Sequence, residues 1–138
     1  MKNFDIKEVV DYLSSEATLT TLLATVTYGV DTVPAIYRNL PESENIDGIY
    51  FMVSETLDTL NGTLDNVTTM EVRILAGNEK ITYSQIKAVD NKIKDLLIVK
   101  FDYNSFEVYN TVVKSGRELL NEKDRKEYVR DYDLYFLT

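Results

Sequence analysis

The apolar positions repeat with two different periods along this chain, and the places where the period changes mark its elements. Ile6, Val9, Val10 and Leu13 fall on one face of a 3.6-residue period, which predicts an opening helix. Asp5 can cap it with Glu8 three residues on, the arrangement of a capping box, and Phe4 and Val9 flank the start as a hydrophobic staple. After Ser14-Ser15 a shorter helical stretch carries Leu19, Leu22, Leu23 and Val26 on one side. Tyr28 to Pro34 reads as a loop around Gly29, Ala35 to Arg38 as a short strand closed by Leu40-Pro41, and PESENID at 41–47 as a polar connection.

The period then shortens to two. Gly48 to Ser54 is a nearly continuous run of aromatic and β-branched residues, the pattern of a strand covered on both faces. Val67 to Leu75 alternates, with Met70, Val72 and Ile74 facing one way and Thr69, Glu71 and Arg73 the other, as in a half-buried strand. Thr82 and Gln85 form a second capping box and Ile81 and Ile86 a second staple. They start a helix whose buried stripe is Ile86, Val89, Ile93, Leu96 and Leu97. Phe106 to Val113 reads as a strand broken at Ser115-Gly116, Asn121 to Glu127 as a charged loop, and Tyr128 to Leu137 as a final alternating strand. Short connections between successive strands predict an α+β fold: one domain over residues 1–138, with a mainly antiparallel sheet of four to five strands and two helices packed on one face.

Composition narrows the chemistry. A chain of 138 residues with 44% hydrophobic side chains can build one core without staples. It has no cysteine, which excludes a disulfide scaffold, thiolate metal sites and a thiol nucleophile. It also has no histidine, so the commonest general base and the usual triads are missing and only carboxylates, lysines, hydroxyls and phenols remain. MKNFDIKEVVDYL places charges inside its apolar stretch and is read as neither a secretion signal nor a transit peptide, and no stretch approaches the length of a membrane span.

Net charge is −8, and residues 1–69 hold all of the excess, with 3 basic and 11 acidic side chains. Glu42, Glu44, Asp47, Glu55, Asp58 and Asp65 follow one another with no lysine or arginine among them. Such a surface repels phosphates, so specific nucleic-acid binding is not expected. Asp131 and Asp133 share a strand face and, with Glu107 or Glu71, form the best candidate set for a hard cation, but no EF-hand loop, phosphate loop or dinucleotide fingerprint accompanies them. The reading is therefore of no cofactor, no metal and no catalytic residue.

Glu55 to Asn66 has mixed signals. Asn61-Gly62 is a two-residue hairpin signal that would pair Leu60 with Thr63, Thr59 with Leu64 and Asp58 with Asp65, the last setting like charges opposite each other. Leu57, Leu60 and Leu64 either fold back on the core or sit on an arm, with Asn61 and Gly62 at its tip, whose leucines a neighbouring subunit buries. The arm is preferred.

The succession VVDYL, TLTTLL, VPAIYRNLP, GIYFMVSE, TTMEVRILA, SQIKAVDNKIKDLL and VRDYDLYFL resembles the tail terminator, or tail completion, proteins of long-tailed bacteriophages over nearly the whole chain. The resemblance lies in element order and hydrophobic pattern, and Phe101 to Asn121 departs from it by its length. It implies a non-enzymatic structural subunit that forms a homo-oligomeric, hexameric ring, caps the tail tube, ends tail elongation and joins tail to head. The implied partners are the tail tube protein and the head-completion or connector proteins. DNA would pass through the ring along the acidic stretch, and the protein would be found in the host cytoplasm during assembly and then at the tail–head junction of the virion. Another head–tail connector or neck component, and a carboxylate-based hydrolase, are the alternatives.

Overall fold

The capping box at Thr82 starts the longest helix as the sequence pattern predicts. Thr82 Oγ1 accepts from the Gln85 backbone N–H at 3.2 Å, and Gln85 Oε1 accepts from the Thr82 N–H at 2.9 Å. The structure, a computed structural model, describes residues 6–38, 46–57, 66–99, 101–103, 106–121 and 123–137. In chain order the helices are α1 (Ile6–Ser14), α2 (Ala17–Thr20) and α3 (Tyr83–Leu97). The strands are β1 (Thr25–Tyr28), β2 (Asp31–Pro34), β3 (Ile36–Tyr37), β4 (Ile49–Leu57), β5 (Asn66–Ala76), β6 (Phe101–Tyr103), β7 (Phe106–Leu120) and β8 (Lys126–Leu137). The proposed cap and staple of α1 involve Phe4 and Asp5, which lie outside the described residues. No helix among the described residues is long and apolar enough to cross a membrane.

The fold is α+β with a mainly antiparallel main sheet. Its six strands run in the order β3-β4-β5-β8-β7-β6, and only β3 pairs in parallel, with β4. The four long strands and the short β3 edge are those read from the sequence, and β6 adds the other edge. Side chains that alternate toward one face of this sheet meet α1 and α3: Phe51, Val53, Met70, Ile74, Tyr132 and Leu134 are buried there against Val9, Leu13, Ile86 and Ile93. Full burial of each large apolar side chain contributes about 1.5–3 kcal/mol, so this layer supplies most of the drive to fold. Tyr12 Oη donates to the Leu96 carbonyl at 2.8 Å and ties α1 to α3. Because α1 touches β3 and β4 near one edge and β6 at the other, the sheet curls around it.

Two sequence expectations need correction here. The apolar run of β4 predicts cover on both faces, yet within it Ile49, Phe51 and Val53 are buried, while Tyr50, Met52 and Ser54 are half-exposed on a face that no helix among the described residues covers. Tyr50 is aromatic for another reason: its ring meets that of Tyr37 edge-on at 6.3 Å. The second concerns Ser115-Gly116, which ends no strand, since β7 continues to Leu120 past an irregularity between Val113 and Gly116. A Cβ at Gly116 would lie 2.1 Å from Tyr128 Oη, so the glycine makes room for a ring on β8. The turn that follows is held by Asn121, whose Oδ1 accepts from the backbone of Lys123 at 2.9 Å and of Arg125 at 3.0 Å, with Asp124 in the left-handed region at φ 58°.

Candidate functional site

Three features outside the core could carry function: the sheet face without helices, an ion pair on the opposite face, and a hairpin that stands apart from both. On the open face the antiparallel registers set side chains of neighbouring strands beside one another. Glu71 lies opposite Asp131, and Thr69 opposite Asp133. Thr69 Oγ1 donates to Asp133 Oδ1 at 2.7 Å, and Lys114 pairs with Asp133 Oδ2 at 3.3 Å. Arg73 donates to Glu127 Oε1 at 2.8 Å and reaches Glu71 Oε1 at 3.4 Å. Burial works against the charge of Arg73, but Glu127 and Glu71 outweigh it and raise its pKa.

Glu71 and Asp133 are engaged by cations of the chain itself, and Glu107 lies farther along, opposite Leu137 and exposed. Asp131 Oδ1 is buried without a hydrogen-bond partner. Among the described residues no group of three acidic side chains comes together as a metal site. The chemistry of the face is cross-strand pairing, which sets register and contributes little net energy at partly exposed positions.

On the helix-covered face, Arg130 forms a bidentate pair with Asp90 of α3, Nε to Oδ1 at 2.9 Å and Nη2 to Oδ2 at 3.0 Å. Arg130 Nη2 also donates to Tyr128 Oη at 2.9 Å. The hydrogen bonds that Arg130 donates to Asp90 raise its pKa against the effect of burial. Beside this pair Tyr132 is fully buried with its hydroxyl unpartnered, and burial pushes its phenol far above the usual range. Sequence reading missed the pair, although Asp90 falls within the buried stripe of α3 and Arg130 alternates with Tyr128 and Tyr132. An acid inside an apolar stripe is the signal, and its partner lies 40 residues away in sequence.

The stretch read as a loop, Tyr28 to Pro34, is half of a hairpin. β1 and β2 form a separate two-stranded sheet with Val26 opposite Val33 and Tyr28 opposite Asp31. Gly29, at φ 63°, takes the first position of the two-residue turn, the place where a type II′ turn requires glycine. Val26, Tyr28 and Val33 share one face, while Thr27 and Thr32 share the other with their hydroxyls 3.3 Å apart. The alternation was present in TVTYGVDTVP, and the correction comes from Gly-Val serving as a complete turn. Main-chain bonds hold the base: Ala24 N–H to Ile49 O at 2.8 Å and Ala35 N–H to Ala24 O at 2.9 Å.

Of the residues singled out in the sequence, Asp47 precedes β4 and accepts from Asn78 Nδ2 at 2.6 Å, beside Lys80 and Arg125. Glu55 is exposed near the far end of β4, where it lines a shallow depression with Ile6, Arg38 and Ser54. The two acids are thus separated by most of one strand, roughly 25 Å at strand rise. Leu57 ends β4 opposite Thr69. A two-residue turn at Asn61-Gly62 would extend to Leu57 opposite Asn66, so the described strands do not continue that register. Glu42, Glu44, Asp58, Leu60, Asn61, Gly62, Leu64 and Asp65 lie outside the described residues.

No protein-family model and no curated protein matches the sequence. Among solved structures the chain is similar to one described as the virion of a native gene transfer agent (GTA) particle, at a TM-score of 0.68 and 16% identity, over 94% of this chain and 92% of that one. At that identity the likeness is one of fold, and it extends over nearly the full length of both chains.

Proposed function

We propose that this chain is a structural subunit of a phage-like virion, and within such a particle the terminator that forms a ring on the tail tube, ends its growth and joins tail to head. The observation that carries the reading is the full-length fold shared with a chain of a gene transfer agent virion. The tail-terminator resemblance of the element order points the same way from the sequence. A non-enzymatic role fits the side chains: three carboxylates pair with cations of the chain, Asp90 with Arg130, Glu127 with Arg73 and Asp133 with Lys114. In this reading the acids from Glu42 to Asp65 face passing DNA, and Leu57, Leu60 and Leu64 form an arm that a neighbouring subunit or the tube buries.

The test is the solution mass of the protein alone and with tail-tube protein. A ring that binds the tube end and stops its elongation is expected; a chain that stays monomeric with the tube protein present would overturn the proposal. Replacing Leu57, Leu60 and Leu64 together with serine is expected to leave the melting temperature within a few degrees while abolishing attachment, since each buried leucine is worth about 1.5–3 kcal/mol to the association. The similar structure is described by its whole particle and not by a component. A connector or neck subunit is therefore the neighbouring reading, and it would assemble without binding the tube.

A further inference from the structure

The β1–β2 hairpin has an apolar face that no other element among the described residues covers. Val30 at its tip is 98% exposed, Tyr28 59% and Val33 38%. No residue of either strand is buried, and neither strand packs on another element by more than marginal contact. A hairpin of four residues a side is marginal in water by itself, and amphipathic alternation on such a projection has no use to the monomer. These side chains leave roughly 350 Å² open, the size of the largest apolar patch on a typical monomer, which is often functional.

A second copy of the chain offers a matching surface elsewhere. The sheet face without helices exposes Val112 at 41% and Leu137 at 51%, close to the Tyr109–Tyr135 ring pair with its centroids 6.3 Å apart. The single charge on the hairpin is Asp31, which shares the face of Tyr28, whereas Arg117 is exposed on β7 past the irregularity; Lys114, within it, is already held by Asp133. Apolar area meets apolar area and the Asp31 carboxylate meets the Arg117 guanidinium. The donor site adjoins the β3 edge and the receiving site lies on β7 and β8 beyond β5, so the two are different patches on one molecule. Such a contact is head-to-tail, and it closes into a ring when the rotation permits.

The geometry points to the Thr25–Pro34 hairpin as the arm by which each subunit grips the open β7–β8 face of the next copy around the ring. This rests on the subunit-ring reading above and adds the element that makes the joint. Roughly 350 Å² is less than half of the ~800 Å² that one partner contributes to a stable complex, so one such grip does not hold an isolated pair. In a closed ring every subunit gives one hairpin and receives one, so both of its joints must open together for it to leave.

The absence of native cysteine makes the test direct, because Val30→Cys and Val112→Cys each introduce a unique thiol into the full-length chain. Mass measurement of the wild-type chain, alone and with tail-tube protein, comes first. If it never assembles, the ring reading and this inference fall together. If it assembles, the Val30→Cys thiol is expected to be shielded from maleimide in the assembly and reactive after dilution to monomer. In mixtures of the two variants, a short bismaleimide is expected to give the crossed 30–112 product. A thiol at 30 that stays reactive in the assembly, links only to another thiol at 30, or becomes shielded only by tube protein overturns the inference and leaves the ring reading standing. Tyr28→Ser with Val30→Ser is expected to weaken assembly at least ~100-fold, and the thiol result decides even if that variant folds poorly.

Discussion

β7–β8 and β1–β2 are both antiparallel hairpins closed by tight turns, yet they stand in opposite relations to the rest of the molecule. In the long hairpin Val108, Tyr128, Val129, Tyr132, Leu134 and Phe136 are buried, and Arg130 reaches across to α3. In the short one no side chain is buried. The long hairpin tolerates two breaks of register because packing on the helices and on β5 holds it. The short one pairs without a break and depends on its turn and its base. Turn chemistry is enough to specify a hairpin, but burial decides whether its loss unfolds the domain.

The largest test of that contrast removes the tie between the long hairpin and α3. Asp90→Ala would leave the Arg130 guanidinium, whose side chain is 11% exposed, without its carboxylate. Breaking such a pair costs about 3–5 kcal/mol. A fall in melting temperature of roughly 10 °C or more is expected by calorimetry, and a fall of a degree or two would show that the pair is not what anchors β8.

Gly116→Ala comes next, because its Cβ would meet the ring of Tyr128 and disturb the hydroxyl that accepts from Arg130. Overpacking of this kind costs about 1–3 kcal/mol, and denaturant melts should show it with an unchanged slope.

The buried phenol gives a pH-dependent test of the same region. Burial raises the pKa of Tyr132 in the folded chain, so the folded state holds the proton more tightly than the unfolded state. The stability is fully present below the ordinary tyrosine value of about 10 and is lost as pH rises above it. Tyr132→Phe should melt close to the parent at pH 7, since the hydroxyl has no partner, and should lose less stability between pH 10 and 11. Equal alkaline losses in both proteins would assign that loss to other groups, Tyr12 and Tyr50 first, whose phenols burial also raises.

The smallest global effect is expected in the short hairpin. Gly29→Ala meets no atom within 4 Å, so its cost is backbone strain alone, about 1–2 kcal/mol at φ 63°. The melting temperature should stay within about a degree while amide exchange in Thr25–Pro34 speeds up, because the hairpin opens without the core. A clear drop in melting temperature would place the hairpin within the cooperative unit and end the contrast.

What the sequence determined by itself was local. The capping box at Thr82 and Gln85 and the stripe from Ile86 to Leu97 depend on residues three or four apart, and the alternation in β5 and β8 on residues two apart, so short-range periodicity was sufficient for α3 and both strands. Tertiary structure decided what depends on distant partners. Asp90 meets Arg130 only because α3 lies across β8, and Tyr50 and Met52 stay half-exposed because α1 and α3 pack on the other side of the sheet. Gly116 reads as a breaker until Tyr128 is seen to fill its space. The β1–β2 hairpin was spelled out in TVTYGVDTVP, but its exposure was not, since alternation states which face is apolar and only the packed fold decides whether anything of the same chain covers it.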